Sequence, residues 1–258
     1  MAFGVERRLH LIERGTVRAA ALVFFVLLTI AVAGFVIWAS NPLGPLPEAI
    51  DALESGPDVS VTTLATGWLF EPTGDTPSTG LVLYPGGRVD PRSYAPLARA
   101  IAAEGHVVTL ASMPLNLAVL DADRADTLIA AAQNVERWAV GGHSLGGAMA
   151  AAYASEADVH VRGLVLLAAY PPSSTDLSSS DLAVLSVLGD ADEVVDREVW
   201  DEGLERLPAV TRTVMIAGGN HAWFGHYGEQ PGDGAATISR EEQQRLTVDA
   251  VVELLGRM

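Results

Sequence analysis

A serine surrounded by glycines is the residue of this sequence best suited to act as a nucleophile. Ser144 stands at the centre of Gly-Gly-His-Ser-Leu-Gly-Gly, residues 141–147, which matches the pattern G-x-S-x-G. In proteins that use this pattern, the serine lies on a sharp turn between a strand and a helix, and the glycines leave room for the turn. Such a serine attacks a carbonyl carbon after a base has taken its proton. The alternative is a Gly-rich turn that only packs a helix against its neighbours.

The base is expected to be a histidine, and a carboxylate must fix the tautomer of that histidine. Asp192 follows an apolar run at residues 183–188, and His221 follows another at residues 214–217. Both therefore come just after the carboxyl ends of predicted strands, where open α/β sheets bind ligands. The chain order Ser144, Asp192, His221 is the order that enzymes with the G-x-S-x-G turn use.

Other acidic residues and histidines are alternatives for these two roles. Asp190 and Asp196 flank Asp192 and can instead cap a turn or a helix, and His226 follows His221 in the same loop. Three further histidines do not follow predicted strands, and no catalytic role is expected for them: His10, His106 and His160.

Acyl transfer also needs two backbone N–H groups directed at the negative oxygen that develops on the carbonyl. The residue after the nucleophile, Leu145, is expected to supply one of them. Gly87 is expected to supply the other, since it lies in the loop Pro-Gly-Gly-Arg, residues 85–88, directly after an apolar run. A simple glycine turn is the alternative interpretation of that loop.

The elements that must position these residues are predicted from the spacing of apolar side chains. Eight short runs predict strands, and segments with helical spacing separate most of them. The predicted strands lie at residues 59–63, 67–70, 81–84, 107–110, 139–142, 164–168, 183–188 and 214–217. The predicted helices lie at residues 93–105, 121–133, 145–154 and 196–207, and from Ser239 to near the C-terminus. Strands that alternate with helices predict an α/β fold with a mainly parallel sheet.

The N-terminal region has the properties of a membrane anchor. Residues 19–38 carry no charge, and a helix of that length spans about 30 Å, the thickness of the hydrocarbon core of a bilayer. Four arginines lie in the preceding segment, residues 1–18, and the next basic residue is Arg88. The positive-inside rule then places the N-terminus in the cytoplasm and the rest of the chain outside the cell membrane. A cleaved signal peptide is the alternative, although its apolar region is usually shorter, about 7–15 residues.

Prolines and glycines punctuate residues 39–58, which predicts a tether between this helix and a domain at residues 59–258. Only residues 171–182 connect the sixth and seventh predicted strands, so no lid domain is expected and the cleft should be open.

The composition excludes several other functions. The sequence has 16 basic and 32 acidic residues, and its net charge of −16 argues against nucleic-acid binding. The absence of cysteine excludes a thiol nucleophile and disulfides. Nothing in the sequence implies a metal ion or an organic cofactor, so none is expected.

Three motifs in this order resemble the α/β-hydrolase superfamily, specifically its compact lidless members related to dienelactone hydrolases. They lie at residues 84–98, 141–150 and 218–225, and together they are similar to a bacterial membrane-anchored group. The resemblance implies an α/β-hydrolase domain and a triad of Ser144, Asp192 and His221. Dienelactone hydrolases proper use cysteine, so their substrate cannot be transferred to this chain. The loop has Pro-Gly-Gly where related families have His-Gly, which leaves Arg88 as an alternative to Gly87.

The expected function is that of a membrane-anchored serine hydrolase. It would cleave an ester-like acyl bond of a small molecule or a lipid through an acyl-enzyme. One alternative is acyl transfer to a lipid or wall component, and another is a non-catalytic binding module of the same fold. Three aromatic residues after the histidine are candidates for the acyl pocket, although Phe224 fits the core equally well: Trp223, Phe224 and Tyr227.

Overall fold

The computed structural model describes residues 2–74, 78–132, 135–157 and 160–258, with only the backbone for residues 2–19. The chain divides into two compact units, Met1–Asn41 and Pro42–Met258. The first unit contains one helix, α1 (Ala2–Ala39). Within it, Ala20–Ala39 has a mean hydropathy of 2.9 and is long and apolar enough to cross a membrane, a test that a signal sequence also passes.

The second unit contains one sheet of eight strands in the order β1-β2-β4-β3-β5-β6-β7-β8. The strands are β1 (Val59–Leu64), β2 (Gly67–Pro72), β3 (Thr79–Tyr84), β4 (Val107–Ala111), β5 (Arg137–His143), β6 (Val161–Leu167), β7 (Ala183–Gly189) and β8 (Arg212–Ile216). Strand β2 pairs antiparallel with β1 and β4, and all other neighbours are parallel. The predicted fold class, an α/β fold with a mainly parallel sheet, is confirmed.

Helices cover both faces of this sheet. They are α2 (Pro47–Asp51), α3 (Ala95–Ala103), α4 (Arg124–Ala131), α5 (Leu145–Glu156), α6 (Arg197–Leu204) and α7 (Arg240–Leu255). The buried side chains form one cluster that includes α3 and α7 and a second that includes α4 and α5. Along β3, Leu81 and Leu83 belong to the first cluster, whereas Val82 and Tyr84 belong to the second. A strand buried on both faces must be apolar throughout, which explains the continuous apolar runs in the sequence.

Two helices are shorter than their apolar patterns predict: α6 ends at Leu204 and α4 begins at Arg124. At α6, the Asp196 carboxylate accepts the N–H groups of Glu198 and Val199, so Asp196 caps the helix. At α4, Arg124 forms an ion pair with Asp121, which lies before the helix. At α7, the Ser239 hydroxyl accepts a hydrogen bond from a backbone N–H at 3.2 Å, as the predicted capping pattern requires.

A short segment before the first strand is bound to two loops at the carboxyl edge of the sheet. This segment, residues 43–46, is called the strap below. Its first residue donates to the carbonyl of Arg88 at 2.8 Å and accepts the N–H of Asp90 at 2.9 Å. Its last residue donates to the carbonyl of His226 at 2.8 Å. Part of the region predicted as a tether is therefore bonded to the domain that follows it.

Candidate active site

Ser144 lies at the carboxyl edge of the sheet, on the turn between β5 and α5. Its backbone has φ = 51° and ψ = −123°, a left-handed conformation that is rare for a residue other than glycine. The N–H of Ser144 donates to the carbonyl of Leu167 on β6 at 2.9 Å, which holds the turn against the neighbouring strand. Strained backbone of this kind concentrates at functional sites.

Glycine is required on both sides of this turn. A Cβ atom on Gly146 would lie 2.3 Å from the carbonyl oxygen of Pro85, and one on Gly142 would lie 2.6 Å from the backbone of Gly146. Real Cβ contacts are essentially never this short, so side chains at these positions would push the turn apart. The glycines therefore allow α5 to begin next to the loop that follows β3.

The His221 side chain is hydrogen-bonded to the Asp192 carboxylate. The distance from His221 Nδ1 to Asp192 Oδ2 is 2.8 Å, and the two side chains are 1% and 0% exposed. The other oxygen of Asp192 accepts the N–H groups of Val194 and Val195, each at 2.9 Å. Because an ionised carboxylate only accepts, Nδ1 of His221 carries the proton and Nε2 carries the lone pair. Nε2 is buried and has no hydrogen-bond partner among the described residues.

The structure gives no hydrogen bond between Ser144 and His221, both of which it describes. In structures without substrate such bonds are often long and shorten only when substrate binds. The two residues are nonetheless close in the fold, since the ring of His143, adjacent to Ser144, lies 4.4 Å from the ring of His221.

Polar side chains that sequence reasoning missed hold the loop that carries His221. The Asp233 carboxylate accepts the N–H of His221 at 3.1 Å and the N–H of Ala222 at 2.8 Å. Gln243 on α7 forms two hydrogen bonds with the backbone of Asn220, of 3.0 and 2.7 Å. These side chains bind backbone groups, so no sequence motif predicts them. Gln243 is spaced by two helical turns from the apolar Val251, and a polar residue on the apolar face of α7 is the one signal that could have been noticed.

In the described part of the chain, neither the alternative acid Asp190 nor the alternative base His226 forms a histidine–carboxylate pair. Asp190 accepts the N–H of Gly218 at 2.6 Å and so joins the ends of β7 and β8. The backbone N–H of His226 donates to a carbonyl at 2.7 Å, and burial lowers the pKa of its imidazole. His106 bonds Thr79 at the opposite edge of the sheet, at 2.6 Å.

One alternative for the acid and two histidines with no expected catalytic role remain. His160 lies in the turn before β6, at the amino edge. The side chain of His10 lies outside the described part of the chain, and Asp196 caps α6.

The two expected oxyanion donors lie side by side. A Cβ atom on Gly87 would lie 3.0 Å from the Leu145 side chain, and the described residues give no acceptor for the N–H of either residue. The neighbours of Gly87 already donate their N–H groups, Gly86 to the Tyr94 hydroxyl at 3.0 Å and Arg88 to a carbonyl at 2.8 Å. Because the N–H of Arg88 already donates a hydrogen bond, Gly87 is favoured over Arg88 as the oxyanion donor.

A buried aromatic cluster lies behind the catalytic candidates. His143 is 1% exposed, its Nδ1 lies 2.8 Å from the Tyr94 hydroxyl, and its ring contacts Phe224 at 5.6 Å between centroids. Burial, with a smaller contribution from His221, lowers the pKa of His143 well below its usual range. Phe224 and Tyr227 are 0% exposed, so they belong to the core. Of the three candidate pocket residues, only Trp223 retains some exposure.

The sequence matches the model of the alpha/beta hydrolase family over residues 80–245. A search of curated proteins gave no significant match. The fold is similar to that of the dienelactone hydrolase from Anabaena variabilis, with a TM-score of 0.58 and 17% identity over 77% of this chain and 99% of that one.

Two further solved structures are similar to the same extent. One is a predicted CIB-like hydrolase from Thermoplasma acidophilum, with a TM-score of 0.54 and 18% identity over 76% of this chain and 97% of that one. The other is an esterase from Thermogutta terrifontis, with a TM-score of 0.54 and 18% identity over 77% of this chain and 93% of that one.

Proposed function

Since the chain belongs to the α/β-hydrolase family, we propose that it is a serine hydrolase that cleaves an ester-like acyl bond. Ser144 is the nucleophile, His221 is the general base and then the general acid, and Asp192 orients His221. The N–H groups of Gly87 and Leu145 bind the developing oxyanion. The substrate is an acyl ester of a small molecule or a lipid.

The observation that carries this proposal is the hydrogen bond between His221 and Asp192 together with the unpartnered Nε2 of His221. The carboxylate fixes the tautomer in which Nε2 can accept a proton. Ser144 stands on a strained turn close to that ring, at the N-terminus of α5. No other described histidine combines a carboxylate partner on one nitrogen with a buried, free second nitrogen.

The steps follow from these positions. Ser144 Oγ attacks the carbonyl carbon while its proton passes to Nε2 of His221, and the carbonyl oxygen becomes negative between the two N–H groups. The protonated His221 then donates its proton to the leaving alcohol, which leaves the acyl group on Ser144. Water attacks this ester with His221 again as the base, which releases the acid and restores the serine.

The similar structures support an ester as the substrate class and suggest a probe. Two of them contain Thermogutta terrifontis esterase 2 with an organophosphate attached, one after reaction with paraoxon and one after reaction with tabun. These names are properties of that esterase. For this chain they support the use of an organophosphorus reagent to identify the nucleophile.

The test uses the full chain in detergent, with a fluorophosphonate probe and a panel of acyl esters of increasing chain length. We expect one covalent label, located on Ser144 by mass spectrometry, and ester hydrolysis that Ser144→Ala abolishes. Ser173→Ala, in an exposed loop away from the catalytic residues, is the matched control and keeps both activities. A label on another serine, or hydrolysis unchanged by Ser144→Ala, would refute the proposal. Added alcohols that become acylated instead of water would indicate acyl transfer.

We also propose that α1 anchors the enzyme in the cell membrane, with its N-terminus in the cytoplasm and the catalytic domain outside. The uncharged stretch Ala20–Ala39 and the arginines before it support this orientation. Carbonate washing should leave the protein in the membrane. Protease added to the outside of spheroplasts should degrade the catalytic domain. A mature protein that begins near Ala39 would show instead that the segment is a cleaved signal.

A further inference from the structure

A chain of hydrogen bonds connects the loop that carries Gly87 to the strand that carries the nucleophile. The N–H of Gly86 donates to the Tyr94 hydroxyl at 3.0 Å, and this hydroxyl lies 2.8 Å from Nδ1 of His143. A Cβ atom on Gly86 would lie 2.8 Å from both the hydroxyl and Nδ1, so the loop packs directly on this hydrogen bond. Tyr94 and His143 are 0% and 1% exposed, which keeps water away from it.

The direction of each hydrogen bond follows from counting protons. The backbone N–H of Gly86 can only donate, so the Tyr94 oxygen accepts there. Burial raises the pKa of the Tyr94 phenol, so its own proton stays in place and needs an acceptor. Nδ1 of His143, at 2.8 Å, is the hydrogen-bond partner that remains for this proton among the described residues. His143 therefore accepts at Nδ1, which requires the neutral imidazole with its proton on Nε2.

His143 is also in contact with the proposed base. Its ring lies 4.4 Å from the ring of His221 between centroids, with an angle of 51° between the planes. His143 immediately precedes Ser144 on the strand that carries the nucleophile. Its buried ring therefore links this strand to the Gly86 loop and also packs against His221. Its neutral state also leaves no positive charge beside the imidazolium that His221 becomes during the reaction.

We propose that Tyr94 and His143 are positioning residues that hold the Gly86–Gly87 loop where the N–H of Gly87 meets the developing oxyanion. This inference rests on the proposed serine hydrolase function. The residue next to Gly87 is fixed by its hydrogen bond to Tyr94, and Tyr94 is fixed in turn by His143. The oxyanion exists only in the transition state and the tetrahedral intermediate, so disturbing the loop should slow the chemical step and leave substrate binding unchanged.

The main test is Tyr94→Phe, which removes the hydroxyl and keeps the ring. Tyr84→Phe is the matched control, because the Tyr84 hydroxyl is equally integrated: it accepts the N–H of Ala125 at 2.8 Å and donates to Ala122 at 2.6 Å. Both variants lose one buried hydroxyl with two hydrogen bonds, but only Tyr94 binds the Gly86 loop. The concentration of active sites is measured by titration with the fluorophosphonate, and kcat is calculated from that concentration. A variant that is partly unfolded is therefore not mistaken for one with a low kcat.

For Tyr94→Phe we expect kcat to fall about 10-fold to 100-fold, less than the 10²–10³ lost with a whole oxyanion donor. KM should stay within about twofold, and a boronic acid that forms a tetrahedral adduct with the nucleophile should bind more weakly by the same factor as kcat. Tyr84→Phe should keep kcat, KM and boronic acid affinity, while both variants lower the melting temperature. Equal kcat for the two variants, with an active wild type, would overturn this inference and leave the proposed function standing.

A second pair of variants tests whether His143 is the hydrogen-bond acceptor of Tyr94. This pair also replaces the main test if Tyr94→Phe does not fold. His143→Asn can offer its side-chain oxygen to Tyr94 in place of Nδ1, whereas His143→Leu cannot. We expect His143→Asn to retain several times more kcat per active site than His143→Leu at the same KM. Equal kcat for both would overturn the role of the His143 acceptor. A wild type that is neither labelled nor active would overturn the proposed function and this inference with it.

Discussion

Each edge of the sheet contains a histidine whose ring is hydrogen-bonded to a side chain from the end of a neighbouring strand. At the carboxyl edge, His221 bonds Asp192 at 2.8 Å, and at the amino edge, His106 bonds Thr79 at 2.6 Å. Burial lowers the pKa of His106. The partner of each histidine makes the difference. A carboxylate stabilises an imidazolium, whereas a hydroxyl does not.

The amino edge also contains an open cleft. An open cleft of about 760 Å³ borders His106, Arg137 and Glu104 there. No strained turn and no helix N-terminus faces His106 in the described part of that edge, so the cleft has polar groups without an activated nucleophile. The comparison teaches that a cleft lined by polar groups does not by itself mark a candidate nucleophile. The turn between β5 and α5 exists only at the carboxyl edge, and the following predictions test whether activity depends on that edge alone.

The largest expected effect separates the histidines of the two edges. His221→Ala should reduce kcat by about as much as Ser144→Ala, on the order of 10⁶-fold where triad members act as a unit. His106→Ala should keep kcat within about threefold, and His226→Ala should keep most activity. The measurement is kcat/KM on one activated ester at constant pH. If His226→Ala is inactive and His221→Ala is active, the base has been assigned to the wrong histidine.

The next effect separates two carboxylates of one loop. Asp192→Asn should lower kcat by about 10⁴-fold, because an amide favours the wrong tautomer of His221. Asp190→Asn keeps an oxygen that can accept the N–H of Gly218, so it should retain most activity. Stopped assays over several hours are needed to measure the slower variant. Similar kcat values for the two variants would contradict the role assigned to Asp192.

A smaller effect is expected for the residue that holds the His221 loop. Asp233→Asn leaves one side-chain oxygen for the two N–H groups of His221 and Ala222. Because hydrogen bonds to charged groups contribute about 1.5–3 kcal/mol, the free energy of unfolding should fall by about that amount or less. Urea denaturation measures this loss. Asp176→Asn, at a fully exposed turn, is the control and should leave stability unchanged; an equal loss there would show that the effect is not specific to the loop.

The smallest effect concerns the pH dependence of stability. Burial lowers the pKa of His143 well below its usual range. In the unfolded chain this histidine binds a proton near pH 6.5, whereas in the folded chain it stays neutral at that pH. The stability due to neutral His143 is therefore complete above about pH 6.5 and is lost as the pH falls below it. His143→Phe should reduce the slope of unfolding free energy against pH between pH 6.5 and 5 by up to about 1.4 kcal/mol per unit. His106→Gln should reduce it less, since His106 is only half-buried; an unchanged slope in His143→Phe would contradict the neutral state.

The strands were predictable because burial on both faces forces their residues to be apolar. All eight strands are present, each within a few residues of its predicted range. The ends of the helices were harder to predict, since the apolar pattern continues past the end of α6 at Leu204 and does not include the ion pair of Arg124. The placement of Asp192 and His221 at one edge followed from the parallel sheet, because residues just after parallel strands meet there. Their catalytic roles stay predictions.

The support around the site was not predictable from the sequence. Asp233 and Gln243 bind backbone groups, and Tyr94 binds a backbone N–H through a hydroxyl at the end of an aromatic ring that looks like a core residue. Such interactions depend on where a backbone group lies in space, which composition and periodicity do not encode. The glycines were the exception, since the tight approach at Gly146 needs a residue without a side chain.

The strap has a consequence for how related sequences should vary. Its three hydrogen bonds to Arg88, Asp90 and His226 all use backbone atoms of the strap, so replacing either of its leucines leaves the donors and acceptors in place. Three prolines, which have no N–H, lie at positions 42, 45 and 47, between and beside the two donors. Inserting or deleting one residue would shift every partner at once. Among relatives in this family, the length of the strap should therefore be nearly constant while the identities of its residues drift.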